Sequence, residues 1–306
     1  MLHPSSSGHD LTQTLHLLAV NGYLKRSYKE IQQMASADSP SYPLGGTSTE
    51  RDRLLRQAEQ YEPTANWLLD QIGVRPGWRA VDIGCGPIGI LNLISQRVGP
   101  RGFVIGVERE PRFVEMARAE IAKCGLGNVT MVQADGLNTG LEKSSFDLVH
   151  ERLVLVNVSA REAFLTEMLS LLRPGGTVAL EDVDNVSWLC QPAHPSWDIL
   201  LNAFHTVFQA GGGDGFIGRR LPVLLHAAGV QSIQTKVTVE TPLLGDYRRT
   251  HLLSLTDSVR DKIIARGVLD EAKLNEHREA LAQHLNDPAT TVIDKLLVQC
   301  WGQKSR

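Results

Sequence analysis

The sequence has few cysteines, no excess of positive charge and no long apolar run. Its 306 residues include four cysteines, which are scattered without a C-x-x-C pair or a cysteine–histidine metal spacing. We therefore expect reduced thiols, no metal site and a cytoplasmic location. The net charge of -3 offers nothing for a phosphate backbone to bind, so no nucleic-acid partner is expected. No stretch reaches the ~18 apolar residues of a membrane span, and the first residues do not resemble a signal peptide.

An apolar strand followed by a glycine-rich turn is the most informative stretch of the chain. Residues 80–89 contain this strand and a turn with Gly84 and Gly86, and a helix is expected behind it. A second apolar strand over 103–107 is followed directly by Glu108. Strand, glycine turn, helix, strand and carboxylate is the layout of a nucleoside-binding βαβ unit. We expect Glu108 to accept hydrogen bonds from ribose hydroxyls.

Charge separates two ligands that such a turn could hold. Gly84, Gly86 and Gly89 satisfy the G-x-G-x-x-G pattern that holds a pyrophosphate, so an NAD-dependent oxidoreductase is one alternative. Asp82 would repel a pyrophosphate, but it would attract the ammonium group of a methionine moiety. S-adenosylmethionine (SAM) has an ammonium, a sulfonium and a ribose but no phosphate. The charge of Asp82 therefore favours SAM as the cofactor.

Three segments resemble the class I SAM-dependent methyltransferases. They are Asp82-Ile83-Gly84-Cys85-Gly86, the turn Leu172-Arg173-Pro174-Gly175-Gly176, and a Tyr-x-x-Gly-Gly segment that begins at Tyr42. The resemblance covers residues 42–185, and the nearest branch looks like the quinone-type and natural-product methyltransferases. It implies an α/β fold with a doubly wound, seven-stranded, mostly parallel sheet, a helical N-terminal lid and a helical cap insertion.

Composition and hydrophobic periodicity divide the chain into three parts. We expect an N-terminal helical lid over 1–56, a SAM-binding core over 57–242 and 287–306, and a helical cap insertion over 243–286. Residues 185–228 of the core are expected to face the substrate in part. A connection of ~40 residues between two strands is long enough to suggest a function for the cap. The N-terminal helix could also pack on a second subunit and form a homo-oligomer.

Some local patterns also predict helix boundaries. Pro63 predicts a division of the helix that contains it at Glu62, and residues 153–158 are expected to be helical. The cap is expected to contain two helices.

Sheet topology gathers the expected cofactor residues at one rim, since ligands of open α/β sheets bind outside the carboxyl ends of the strands. Asp135 follows the third strand and suits the exocyclic amine of adenine. Glu151 and Arg152 end the fourth strand and could hold the methionine part of SAM. With those implied by the resemblance, the predicted cofactor-binding residues are Tyr42, Gln57, Asp82, Gly84, Cys85, Gly86, Glu108, Arg109, Ala134, Asp135, Gly136, Glu151 and Arg152.

Methyl transfer from a sulfonium depends mainly on positioning and on the exclusion of water. A base is needed only if the acceptor carries a proton, and His150 is the first candidate because it can titrate near neutral pH. His150 could instead hydrogen-bond the backbone and shape the pocket. The residues predicted to bind a small, largely apolar acceptor are Tyr28, Trp188, His194, Phe204 and Phe208.

The sequence leaves oxygen, nitrogen and carbon open as the acceptor atom. Methylation of a prenyl or terpenoid alkene would create a carbocation that needs aromatic faces and one base, and Tyr23, His150 and Trp188 could supply them. A non-catalytic SAM-binding protein is a further alternative, which the intact motif residues disfavour. The sequence thus predicts a SAM-dependent methyltransferase that acts on a small molecule in secondary, natural-product metabolism.

Overall fold

The computed structural model describes residues 48–306, with side chains from residue 53 onward. Most of the predicted N-terminal lid, including Tyr23, Tyr28 and Tyr42, lies outside the described residues, as does the proposed subunit contact of that segment. Within the described residues, no helix has the length and the apolar character needed to cross a membrane.

Strands and helices largely alternate over the first part of this region. In chain order they are α1 (Ser48–Ile72), β1 (Arg79–Ile83), α2 (Leu91–Val98), β2 (Phe103–Glu108), α3 (Pro111–Lys123), β3 (Val129–Gln133), β4 (Phe146–Arg152), α4 (Arg161–Leu171) and β5 (Leu172–Asp184). The later elements are β6 (Leu189–Gln191), α5 (Pro195–Ala210), α6 (Leu221–Ala227), β7 (Gln231–Thr238), α7 (His251–Ser258), α8 (Arg260–Ala265), α9 (Glu271–Asn286), β8 (Thr291–Ile293) and β9 (Leu296–Gln303).

Seven of the strands form one sheet in the order β3-β2-β1-β4-β5-β9-β7. The first five pair in parallel, and β9 lies antiparallel between β5 and β7. Four of the five residues of β1 and five of the six of β2 are buried, as expected for parallel strands that are covered by helices on both faces. The predicted doubly wound, seven-stranded fold is confirmed. β6 and β8 form a separate two-stranded sheet.

Each face of the large sheet has its own hydrophobic core. On one face, Leu68 of α1 and Leu91 of α2 pack against β1 and β2. On the other face, the core runs from Phe164 of α4 through Trp197 of α5 into Leu281 of α9. The residues of the cap insertion therefore belong to the same core as the sheet.

The structure corrects three local predictions. α1 continues through Pro63, and it also crosses the predicted boundary between residues 56 and 57. The residues after Pro63 that face the core, among them Leu68, have no exposed surface, and this packing holds the helix together. The cap contains α7, α8 and α9 and so has more than the two helices expected.

The segment 153–158 is a turn, although a helix was expected there. Glu151 Oε2 accepts hydrogen bonds from the backbone N–H groups of Val154 (3.0 Å) and Leu155 (3.4 Å). Asp182 Oδ2 accepts one from Val156 N (2.9 Å). Side-chain acceptors thus take the donors that a helix would have paired with its own carbonyls.

Candidate active site

A cavity of about 320 Å³ lies at the carboxyl ends of β1, β2, β4 and β5. Side chains from α1, α5 and α7 also line it. Nine of the predicted cofactor residues line the cavity, namely Gln57, Gly84, Gly86, Glu108, Arg109, Ala134, Asp135, Gly136 and Arg152. Of the predicted substrate residues, Phe204 and Phe208 also line it, with ring centroids 5.2 Å apart in a stacked arrangement.

Two glycines of the turn after β1 have different reasons to be glycine. Gly84 has φ +71°, and a Cβ there would lie 2.5 Å from Val154 Cγ2. Gly86 has φ +58°, and a Cβ there would meet no heavy atom within 4 Å. The turn is thus tightly packed at Gly84 and open at Gly86, where a ligand can approach the backbone.

Glu108 is the polar centre of this end of the cavity. Its Oε2 accepts a hydrogen bond from Gly86 N (3.0 Å), and its Oε1 accepts one from Glu110 N (2.8 Å). Burial raises the pKa of Glu108, and the backbone N–H groups of Glu110, Gly86 and Arg109 oppose this rise. A carboxylate has about four lone-pair sites, so Glu108 can still accept from two ribose hydroxyls.

Asp135 and Arg109 lie beside Glu108. Asp135 Oδ1 accepts a hydrogen bond from Leu137 N (2.8 Å), and its Oδ2 is 4.0 Å from Arg109 Nη1. Gly136 packs against the ring of Phe164, where a Cβ would lie 2.5 Å from a ring carbon. This part of the cavity can recognise a nucleobase through the acceptor oxygens of Asp135 and through backbone groups.

Arg152 lies at the end of β4, and one nitrogen of its guanidinium has no hydrogen-bond partner among the described residues. Its guanidinium carbon lies 5.6 Å from the centroid of the Tyr61 ring. Its Nη1 is buried and has no hydrogen-bond partner within the described part of the chain. A buried guanidinium nitrogen that lacks a hydrogen-bond partner suits a carboxylate, and SAM carries one on its methionine part. The residues present therefore fit SAM.

The structure corrects the roles predicted for Asp82 and His150. Asp82 is 2 % exposed, and its Oδ1 lies 2.7 Å from His150 Nδ1. His150 has no exposed surface, and its Nε2 lies 2.9 Å from Glu181 Oε1. Burial would lower the pKa of His150, but the two carboxylates outweigh burial and raise it to about 9. His150 is a buried imidazolium, so it is not placed to accept a proton from a substrate.

Asp82 is likewise not placed to meet the ammonium group of SAM. Neither Asp82 nor His150 is among the residues that line the cavity. Glu181 also accepts a hydrogen bond from Gln299 Nε2 (2.6 Å), which in turn donates to Thr64 O (3.0 Å). These side chains form a polar row that joins β1, β4, β5, β9 and α1 beneath the cavity.

Two further predicted cofactor residues, Glu151 and Cys85, lie behind the cavity wall. Glu151 has no exposed surface, and it holds the turn over 153–158. Cys85 is 5 % exposed, with its Sγ 3.9 Å from Met131 Sδ, and burial raises the pKa of its thiol. Neither side chain lines the cavity.

Two predicted substrate residues have other positions. His194 caps α5 by accepting a hydrogen bond from Ser196 N (3.2 Å), and its ring packs on His284. It is therefore not at the cavity. Trp188 is 3 % exposed and packs edge-on against Trp197, with the Lys295 ammonium over its face. It supports the cavity wall from behind.

The sequence analysis missed several residues of the cavity. They are Arg53 and Tyr61 of α1, Asn185 after β5, His251 of α7, and Lys295 between β8 and β9. Arg53 lies in the predicted lid and Tyr61 just after it, so their helical spacing with Gln57 was the available signal. His251 and Lys295 come from distant segments, and no local motif marks them.

The strand order and this cavity define a class I SAM-dependent methyltransferase domain, with SAM as its cofactor. Residues 75–211 match the family model described as "Methyltransferase domain". The match covers a little under half of the chain.

The named relatives come from the small-molecule branch of the class. Nocamycin O-methyltransferase of Saccharothrix syringae is 34 % identical over 122 residues, 40 % of this chain and 44 % of that protein. Demethylmenaquinone methyltransferase of Listeria monocytogenes is 28 % identical over 131 residues, 43 % of this chain and 53 % of that protein. The matched segments thus span about half the length of these relatives.

The fold has a likeness among solved structures as well. The YcgJ protein of Bacillus subtilis superposes with a TM-score of 0.52 at 18 % identity, covering 78 % of this chain and 97 % of that one. At this identity the likeness concerns the fold alone.

Proposed function

We propose that this protein transfers the methyl group of SAM to a small, largely apolar organic acceptor. The observation that carries the proposal is a single cavity with two different ends. One end has the glycine turn, Glu108 and Asp135, and the other has aromatic side chains such as Phe204 and Phe208. Both reactants of a methyl transfer can therefore meet in one cavity, which supplies positioning.

Four residues hold the cofactor in this proposal. Glu108 accepts from the ribose hydroxyls, and Asp135 accepts from the exocyclic amine of adenine. Arg152 pairs with the methionine carboxylate through its buried Nη1, and Gly86 leaves room for the cofactor beside the backbone. SAM, when bound, supplies a methyl group on a good leaving group.

We place the reaction in secondary, natural-product metabolism. The relative named nocamycin O-methyltransferase supports this setting. The carbon-acceptor alternative has less support, because His150 is buried and protonated and the Lys295 ammonium covers Trp188. A carbocation would not be stabilised beside that ammonium.

Calorimetric titration with S-adenosylhomocysteine (SAH), with NAD as a control ligand, tests the cofactor half of the proposal. We expect SAH to bind and NAD not to bind. Glu108→Gln should weaken SAH binding by roughly tenfold, because an amide nitrogen cannot accept the hydrogen bonds that a carboxylate oxygen accepts. Glu115→Gln, the same change on the exposed side of α3, should leave SAH binding unchanged.

The acceptor half needs a turnover measurement. The protein is incubated with SAM that is isotopically labelled in the methyl group and with a panel of phenols, carboxylic acids, amines and alkenes. Mass spectrometry then reports which compounds gain the label. Binding of NAD in place of SAH, or SAH binding without transfer to any member of the panel, would count against the proposal.

A further inference from the structure

A second polar cluster lies at the end of the cavity that is remote from Glu108. His251 opens α7, and Lys295 directly precedes β9, and both side chains line the cavity. In the sheet, β9 lies four strands from β2, which is about 19 Å at the usual strand spacing. This end is therefore too far from Glu108 to belong to the ribose site.

His251 presents a donor that has no partner. It is 4 % exposed, and its Nδ1 lies 3.0 Å from Lys295 Nζ. A lysine ammonium only donates, so Nδ1 is the acceptor, and the proton of the neutral ring is on Nε2. That Nε2 is buried and has no hydrogen-bond partner among residues 53–306. Burial, with Lys295 and Arg53 nearby, holds the pKa of His251 well below its usual range and keeps the ring neutral.

Lys295 completes the cluster. Its Nζ lies 4.5 Å from the centroid of the Trp188 ring, an apolar setting for an ammonium. Burial lowers the pKa of Lys295 to about 8, with Asp294 opposing the shift and Arg53 adding to it. The charged groups that face this pair are Asp294, Arg53 and, behind Asp294, Arg248 and Asp246. An ammonium in such a setting is stabilised by an anion placed beside it.

The carboxylates that line the cavity are confined to its adenosine end, where Arg109 accompanies them. The carboxylates in the lining, Glu108 and Asp135, lie at the ends of β2 and β3, on the adenosine side. Lys295, with its neighbour Arg53, lies on the opposite side. Asp294 faces Lys295 but is not among the residues that line the cavity, so the charged side chains that line this end are cationic. They favour a negatively charged oxygen, to which the Nε2–H of His251 can donate.

We propose that His251 and Lys295 bind the anionic oxygen of the methyl acceptor, so that the substrate is a phenolate, an enolate or a carboxylate. This inference rests on the proposed function and names its substrate class. The acceptor oxygen uses a lone pair to form the C–O bond, the C–S bond breaks, and its electron pair stays on sulfur. No proton is transferred in this step, so the site needs no general base.

The test uses the whole chain saturated with SAH, and its probes are 4-nitrophenol, 4-nitrobenzoate and the neutral 4-nitrotoluene. Binding is followed by calorimetry, and the visible absorption of 4-nitrophenol reports how much of it is bound as the anion. The variants are Lys295→Met, Lys295→Arg and His251→Phe. Lys236→Met is the matched control, because Lys236 is also partly buried over a tryptophan ring, at 3.6 Å from the Trp67 centroid, but outside the cavity.

We expect at least one of the two anions to bind more tightly than 4-nitrotoluene. Lys295→Met and His251→Phe should each weaken the binding of that anion by roughly tenfold or more, and Lys295→Arg should recover part of the lost affinity. Lys236→Met should bind like the unmodified protein. Affinity should fall as the pH rises through about 8, where Lys295 loses its proton. If the binding of 4-nitrophenol responds to these changes, the acceptor is a phenolate or an enolate. If the binding of 4-nitrobenzoate responds, the acceptor is a carboxylate.

The two proposals fail in different ways. If SAH does not bind at all, the proposed function fails. If SAH binds equally to all these variants but neither anion is preferred, or Lys295→Met and His251→Phe leave the preferred anion unaffected, the assignment of an anionic acceptor is overturned while the methyltransferase proposal stands.

Discussion

Gly84 and Gly125 have similar backbone angles but different surroundings. Their φ values are +71° and +64°, and a Cβ would collide with Val154 only at Gly84. We expect Gly125→Ala to lower the free energy of unfolding by about 1 kcal/mol through backbone strain. Gly84→Ala should cost about 3 kcal/mol or more, because the collision adds to the same strain.

Urea denaturation of both variants measures the difference. Equal losses at the two positions would show that the turn yields around Val154, and that the close packing at Gly84 is not required.

The buried imidazolium of His150 gives stability a defined pH dependence. Its pKa is raised from 6.5 to about 9, so its contribution is fully present below pH 6.5 and is lost as the pH rises through about 9. The shift corresponds to about 3 kcal/mol at most. We expect the difference in unfolding free energy between the unmodified protein and His150→Gln to shrink over this range.

His226→Gln is the control, since His226 is exposed on α6. It should retain the pH profile of the unmodified protein. A profile for His150→Gln parallel to that of the unmodified protein from pH 6 to about 9 would mean that the ring is neutral in the folded state.

At the scale of single residues, the sequence is sufficient to predict those residues whose role depends on their neighbours along the chain. A strand, a glycine turn and a carboxylate place Gly84, Gly86 and Glu108 without knowledge of distant contacts. The charge argument for Asp82 is incomplete, because in the parallel register Asp82 lies opposite His150. A histidine on the neighbouring strand takes the carboxylate that the argument gives to the ligand.

At the scale of elements, the cap is the part for which the sequence is least informative. Residues 243–286 have a helical pattern, but that pattern does not show what the helices cover. The structure joins Leu281 of α9 to Trp197 and Leu200 of α5 in one core. His251 and Lys295 reach the cavity only because of this packing, so sequence reasoning had no means to pair them.

We therefore expect the cap and the sheet to unfold together. Leu281 has no exposed surface, and Leu281→Ala should cost about 2–5 kcal/mol while keeping a single thermal transition. Leu243 is 79 % exposed, and Leu243→Ala should change stability by no more than about 0.5 kcal/mol. Calorimetry of both variants tests whether the cap and the sheet unfold together. A second transition at lower temperature in Leu281→Ala would instead identify the cap as an independent domain.

At the scale of the whole molecule, binding of the cofactor should stabilise all elements of the fold together. SAH at a hundred times its dissociation constant should stabilise the fold by about 2.7 kcal/mol. For a chain of this length that is a rise in Tm of roughly 4 °C. Differential scanning fluorimetry should show one transition that moves as a unit, and Glu108→Gln should need more SAH for the same rise. A shift confined to part of the signal would contradict a single cooperative fold.

The antiparallel strand β9 has a consequence for how the protein is made. β7 pairs with β9 and with no other described strand, and 59 residues separate Thr238 from its partner Leu297. At about 5–20 residues per second, the ribosome leaves the nascent β7 without a neighbour for roughly 3–12 s. During that time its edge is open to other nascent chains, and Val237 on this strand is 52 % exposed even in the finished fold. We expect newly made protein to depend on a chaperone at this stage, whereas the finished fold has β9 in place.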